Sequence, residues 1–111
     1  MSREIDAKVA ECLGWRDTGL YWYDPQERYH YDKELFSFDS TGEGMLLLIE
    51  EAKKDGIRFE ITTHDKLNLV LCGVDLGKHN SFTHVASHIH LPTAVTLTYL
   101  KAKGVDIKPY L

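Results

Sequence analysis

The chain has 111 residues, with 13 Lys plus Arg against 17 Asp plus Glu and a formal net charge of −4 with neutral His. Hydrophobic residues make up 43% and charged residues 27%, the composition of a globular chain and not of a disordered one. One domain over residues 1–111 is expected at this length, and the acidic balance lacks the positive field that duplex nucleic acid demands.

No apolar run approaches the roughly 20 residues that span a bilayer, so no membrane partner is expected. The opening Met1-Ser2-Arg3-Glu4-Ile5-Asp6 carries charge where an export signal is apolar. Cys12 and Cys72 are too far apart for a clustered metal motif and too few for a disulfide framework. A reducing cytosol fits them best.

In chain order, the first element reads as a helix. Ser2 is a suitable N-cap, Glu4 and Asp6 favour the positive end of the helix dipole, and Ile5, Val9, Cys12 and Leu13 form one apolar stripe. The stripe puts Cys12 on the buried face as a small hydrophobe, and Gly14 is the natural stop. Residues 15–23, with Trp15, Tyr21, Trp22 and Tyr23, predict an extended segment. Asp24-Pro25 predicts a turn, and Tyr29 to Tyr31 a short strand folding back on the first. Ser40-Thr41-Gly42-Glu43 matches a capping box ahead of a helix whose wide stripe holds Met45, Leu48, Ile49 and Ala52. Gly42 and Gly44 could hold a phosphate at that helix start or simply relieve crowding there.

A hairpin follows. Ile57 to Thr62 alternates as a half-buried strand does, and Leu67 to Cys72 places Leu67, Leu69 and Leu71 on one face. Between them, 64–66 predicts a turn. Residues 73–81 read as a polar loop and Phe82 to His90 as a third strand. Pro92 opens a last helix with Leu91, Val95, Tyr99 and Ala102 at helical spacing, stopped at Gly104. The tail, Val105 to Leu111, predicts extended chain. Short connections pair the strands antiparallel, and the helical stripes must cover them. The expected fold class is α+β: a helix–sheet–helix sandwich with a mainly antiparallel sheet and three helices.

This succession resembles the phage ABA-sandwich domain family over about residues 2–106. The resemblance rests on four stretches: Arg3-Glu4-Ile5-Asp6-Ala7 with Val9-Ala10-Glu11 and Leu13-Gly14-Trp15; Tyr21-Trp22-Tyr23; Phe36-Ser37 through Asp39-Ser40; and Leu91-Pro92-Thr93-Ala94-Val95 with Leu97, Leu100-Lys101-Ala102 and Gly104-Val105. The loop at Asp75 to Asn80 and the strand from Phe82 to His90 depart from it. The resemblance implies a sandwich fold and a small bacteriophage or prophage protein at work in the cytoplasm of the infected bacterial host. It implies no catalytic residues. Some small phage proteins sequester the nucleotide second messengers of bacterial immunity, which sets one functional expectation.

Two constellations can carry chemistry. Residues 21–38 hold seven of the 12 aromatics: Tyr21, Trp22, Tyr23, Tyr29, Tyr31, Phe36 and Phe38. Such rings either pack against the helices and a dimer mate or stack on nucleobases, at about 1–3 kcal/mol per base. Alternation separates Tyr21 and Tyr23 from Trp22, so one set can be core while the other faces out. Arg16, Arg28 and Lys33 are the nearby cations. The second constellation is the row His84, His88 and His90 on one face of the third strand. His88 and His90 could share a metal with His64 or Asp65 as a further ligand, whereas His84 stands about 13 Å from His88 at ~3.3 Å per residue. A surface row contacting an anionic ligand is the alternative. No nucleophile elbow or phosphate-loop pattern occurs.

The resemblance, together with the lack of a catalytic set, implies a non-enzymatic phage protein, with no cofactor, that sequesters a small nucleotide immune signal such as a cyclic ADP-ribose isomer or a cyclic oligonucleotide. The ligand-binding residues are expected among Tyr21, Trp22, Tyr23, Arg28, Tyr29, Tyr31, His84, His88 and His90. A homodimer or higher homo-oligomer is expected, because one acidic chain offers few cations per ligand. An adaptor or inhibitor of a host protein, and a metal-dependent hydrolase built on the histidine row, are the competing readings.

Overall fold

A computed structural model describes residues 2–63, 65–75 and 80–110, and the side chains of all these except 2, 3, 71–75 and 80–85. Helix α1 spans Ser2–Leu13 and includes Ser2, which therefore does not cap it. Ile5, Val9 and Ala10 are buried along its stripe, while Cys12 and Leu13 are only half-buried at its end. Gly14, at φ 79°, provides the left-handed residue that turns the chain, and Trp15 N–H closes onto Ala10 C=O at 2.9 Å.

The extended segment expected over 15–23 is a hairpin instead. β1 (Arg16–Asp17) and β2 (Tyr21–Asp24) pair antiparallel around a turn in which the Asp17 carboxylate accepts from Gly19 N–H at 2.9 Å. Gly19 sits at φ 95°, which is why the turn closes there. β3 (Tyr29–Asp32) adds to β2, so the first sheet has the order β1-β2-β3.

The segment from Phe36 to Thr41 is a strap held by all three helices. Asp6 of α1 accepts from Asp39 N–H at 3.1 Å. Thr41 is the N-cap of α2 (Gly42–Lys54): its Oγ1 accepts from Gly44 N–H at 3.1 Å and donates to Ser37 C=O at 2.6 Å. The cap therefore falls one residue after the expected Ser40, and the expected Ser40–Glu43 capping box does not form, because the residue at N3 is Gly44. Gly44 fits because nothing larger could. A Cβ there would run into the Ser37 carbonyl oxygen and lie 2.9 Å from Phe38 Cα, whereas Gly42 has open space. Relief of crowding is therefore the role of Gly44 and not of Gly42.

The second sheet has the order β4-β5-β6, all antiparallel, from β4 (Ile57–Thr63), β5 (Asn68–Asp75) and β6 (Asn80–His88). The expected polar loop over 73–81 is shorter, because β5 runs on to Asp75 and β6 starts at Asn80, with an irregularity at Cys72/Gly73. The third strand ends at His88, two residues before the predicted end. Ile57, Val70 and Ala86 form the buried face. The alternate face of β5, where Leu69 stands half-buried, is the outer one.

Helix α3 (Leu91–Ala102) is more central than one stripe predicts. Every residue from Ala94 to Leu100 is buried, and the helix packs on β5, β6, α1 and α2. Two threonines fall inside and are satisfied by carbonyl oxygens. Thr96 Oγ1 donates to Pro92 C=O at 2.7 Å and lies 3.0 Å from Phe38 C=O; Thr98 Oγ1 donates to Ala94 C=O at 2.7 Å. The tail expected to be extended closes in a short 3-10 turn, Lys108–Tyr110. The architecture is α+β, with three helices and two three-stranded antiparallel sheets. Among the described residues, no helix is long and apolar enough to cross a membrane.

Candidate functional site

The β2–β3 hairpin carries the aromatic cluster, and its turn is written locally. The Asp24 carboxylate accepts from Gln26 N–H at 3.0 Å and from Glu27 N–H at 3.4 Å, and Arg28 takes φ 53° to bring the chain into β3. The register pairs Trp22 with Tyr31, Tyr23 with His30 and Asp24 with Tyr29. Residues directly opposite share a face, so the hairpin has an inner face with Trp22, Tyr29 and Tyr31 and an outer face with Tyr21, Tyr23 and His30.

The inner face belongs largely to the core. Tyr31 stacks on Trp15 with ring centroids 4.8 Å apart and planes within 1°, and meets Phe36 at 4.7 Å. Burial pushes the Tyr31 phenol above its ordinary pKa, and the Asp24 carboxylate adds to the push. Trp22 is buried, with the Lys33 ammonium 4.1 Å from its ring centroid. Lys33 in turn pairs with Asp17 at 2.6 Å, and this hydrogen bond holds the Asp17 carboxyl below the usual range. Trp22 and Tyr31, expected at a ligand site, are thereby removed from the outer face, and Lys33 is committed to a pair. Tyr29 lies at the open end of the inner face, 57% exposed.

The outer face is open. Tyr23 and His30 rings lie 4.6 Å apart, and Tyr21 meets His30 edge-on at 6.0 Å. Arg16 of β1 stands directly opposite Tyr23 and is exposed. One cross-strand row thus runs Arg16–Tyr23–His30 over three strands: a guanidinium, a phenol and an imidazole. At ~4.8 Å between strands, the row is about 10 Å long at the backbone. A groove of about 260 Å³ runs along the free edge of β3, lined by Tyr21, Tyr29, His30, Tyr31, Leu35 and Phe36, with Asp32 and Glu43 at its acidic rim. Sequence reasoning missed His30. Its signal was present in the alternation about Tyr29 and Tyr31, but using it required the hairpin register.

Of the expected histidine row, His84 and His88 fall on β6 at alternating positions, and His90 lies beyond the strand. His88 ends β6, and its Nδ1 accepts from His90 N–H at 3.0 Å. His90 lies beyond the strand as the N-cap residue of α3, exposed and making no side-chain cap hydrogen bond. The His84 backbone pairs with Cys72; its side chain, like the whole of His64, lies outside the described residues. Among the described residues no group of three or more His, Cys, Asp or Glu side chains converges as metal ligands.

A second polar site has no counterpart in the sequence reading. Asp6 and Asp39 are both buried, at 5% and 7% exposure, and Asp6 reaches a cleft of about 220 Å³ shared with Asp17, Trp22 and Lys33. Burial pushes the Asp6 carboxyl above its ordinary pKa, opposed by hydrogen bonds from Ser37 and the strap backbone. Half-buried Cys12 has its thiol pushed up by burial as well, away from the thiolate that a nucleophile needs. No family model, curated protein or solved structure matches this chain.

Proposed function

We propose that this protein binds a small nucleotide and holds it without transforming it. The observation that carries this reading is the row Arg16–Tyr23–His30, with Tyr21 beside it. Two adjoining rings offer a stacking surface for a base. A guanidinium opposite them is suited to a phosphate, which it can bind through two parallel hydrogen bonds. Asp32 and Glu43 repel phosphate at the far end, so the ligand lies with its charge toward Arg16 and its base toward Tyr23 and His30. The resemblance to the phage ABA-sandwich family supplies the setting. The ligand is then an immune signal of the bacterial host, a cyclic ADP-ribose isomer or a cyclic oligonucleotide, sequestered in the cytoplasm of the infected cell.

Isothermal titration calorimetry against cyclic dinucleotides and cyclic ADP-ribose isomers tests this. Binding by the wild-type chain, weakened about tenfold or more by Tyr23→Ala and by Arg16→Ala, is the expected result; the tenfold corresponds to about 1.4 kcal/mol, within the range of one lost stack. No heat with any of these ligands rejects the reading.

Leu20 and Leu35 favour a second reading. They flank the hairpin at 72% and 79% exposure, as apolar anchors of a protein interface would. A stoichiometric protein retained from host lysate, and lost with Leu35→Asp, supports an adaptor in place of a nucleotide binder.

A further inference from the structure

The second sheet has a free edge. Among the described residues β4 pairs with β5 alone, over Ile57 to Thr63. A groove of about 410 Å³ is lined by Gly56, by Ile57, Arg58 and Phe59 of β4, and by Ile49 and Lys53 of α2. Consecutive residues of a strand point to opposite faces. A groove touching three in succession, Ile57 to Phe59, therefore follows the strand's edge. Leu46 lies on the same stripe of α2, one turn before Ile49, and is 60% exposed; Ile61 on β4 is 38% exposed. An open edge beside exposed apolar side chains is a place where another strand adds.

The sequence of β4 selects which strand. We infer that β4 pairs antiparallel with β4 of a second copy, about a twofold axis at Phe59, to make one continuous six-stranded sheet. In this register Arg58 stands opposite the partner's Glu60, and the partner's Arg58 opposite Glu60. Ile57 then stands opposite the partner's Ile61. Both oppositely charged pairs fall on the outer face, where Arg58 and Glu60 are already exposed, and the apolar pairs fall on the helix side. The neighbouring symmetric registers fail. A shift centred on Glu60 sets Glu60 against the partner's Glu60, and one centred on Arg58 sets Arg58 against the partner's Arg58. Like charges directly opposite oppose pairing. An odd offset would place the apolar face of one copy against the polar face of the other. The twofold contact is self-complementary, as a closed dimer requires. It leaves the Arg16–Tyr23–His30 row untouched, so it stands whether or not the nucleotide reading does.

Sedimentation equilibrium of the full chain over a wide concentration range tests the proposal, with Arg58→Glu, Glu60→Arg and the double exchange. The wild type is expected to be a dimer. Each single reversal should weaken it about tenfold through two like-charge pairs, and the double exchange should restore it. Because Arg58 makes other interactions, hydrogen exchange of the unmodified chain is a second measure: the β4 amides on the free edge should gain protection as concentration rises. A monomer at every concentration, a dimer indifferent to both single reversals, or β4 amides insensitive to concentration would each overturn the inference.

Discussion

Two neighbouring aromatic segments are treated in opposite ways. The strap from Phe36 to Thr41 buries both of its phenylalanines, and its backbone is tied down by Asp6 of α1, by Thr93 and Thr96 of α3, and by its own Thr41 at the start of α2. The hairpin from Tyr21 to Asp32 commits only one face. Its inner rings stack into the core, while Tyr21, Tyr23 and His30 meet one another at the surface. Composition alone makes the two alike. What separates them is where hydrogen-bond partners come from: the strap is held by the helices, and the outer row stays at the surface.

That contrast can be broken most severely at Gly44. Its Cα lies against the strap so closely that any side chain meets the Ser37 carbonyl and the Phe38 backbone. Gly44→Ala must push the strap off the helix start, and overpacking against backbone is expected to cost about 3 kcal/mol. Urea unfolding measures it; a loss under about 0.5 kcal/mol would mean that the strap yields freely. A loss of the same order is expected at Leu97, fully buried on α3. Leu97→Ala should cost about 2–5 kcal/mol, whereas Tyr21→Ala on the outer face should stay within about 0.5 kcal/mol. Equal losses at the two positions would erase the distinction between core and outer face. A smaller effect tests the tie between α3 and the strap. Thr96→Val keeps the shape but removes the hydroxyl that reaches Phe38 C=O, for about 1 kcal/mol.

Much of this was legible in the residues, and the misses share a cause. Amphipathic stripes located α1 and α2, Pro92 located the start of α3, and alternation separated Trp22 from its neighbours, because each is a local signal. Asp17 with Gly19 made a turn that the aromatic run around it concealed. The cap fell not on Ser40 but on Thr41, where one hydroxyl both accepts from Gly44 N–H and donates back to Ser37 C=O, a local turn that the capping-box pattern does not describe. Spacing read α3 as one stripe since its threonines count as polar, yet carbonyl oxygens of its own turns and of the strap take those hydroxyls. His30 entered the candidate site only through a register that the turn at Asp24 to Arg28 decides. The helix dipole explained Asp6 on α1 but gave no hint that the side chain would be buried.

Asp6 offers the finest test of the strap. Burial raises its carboxyl pKa, with nearby Asp39 adding to the rise, so ionised Asp6 is disfavoured in the folded chain relative to the unfolded one. The other charges at its cleft, Asp17 and Lys33, are paired with each other. A raised acid contributes its stability below the unfolded pKa and loses it as pH rises through the folded pKa. Asp6→Asn keeps an oxygen to accept from Asp39 N–H and discards the charge. The variant should therefore be slightly more stable than the wild type at neutral pH, with the advantage shrinking as acid protonates Asp6. Thermal melts of both chains from neutral pH into the acid range read this directly. If Asp6→Asn is less stable throughout, the carboxylate's hydrogen bonds to the strap outweigh its burial, and the strap is held by charge as well as by shape.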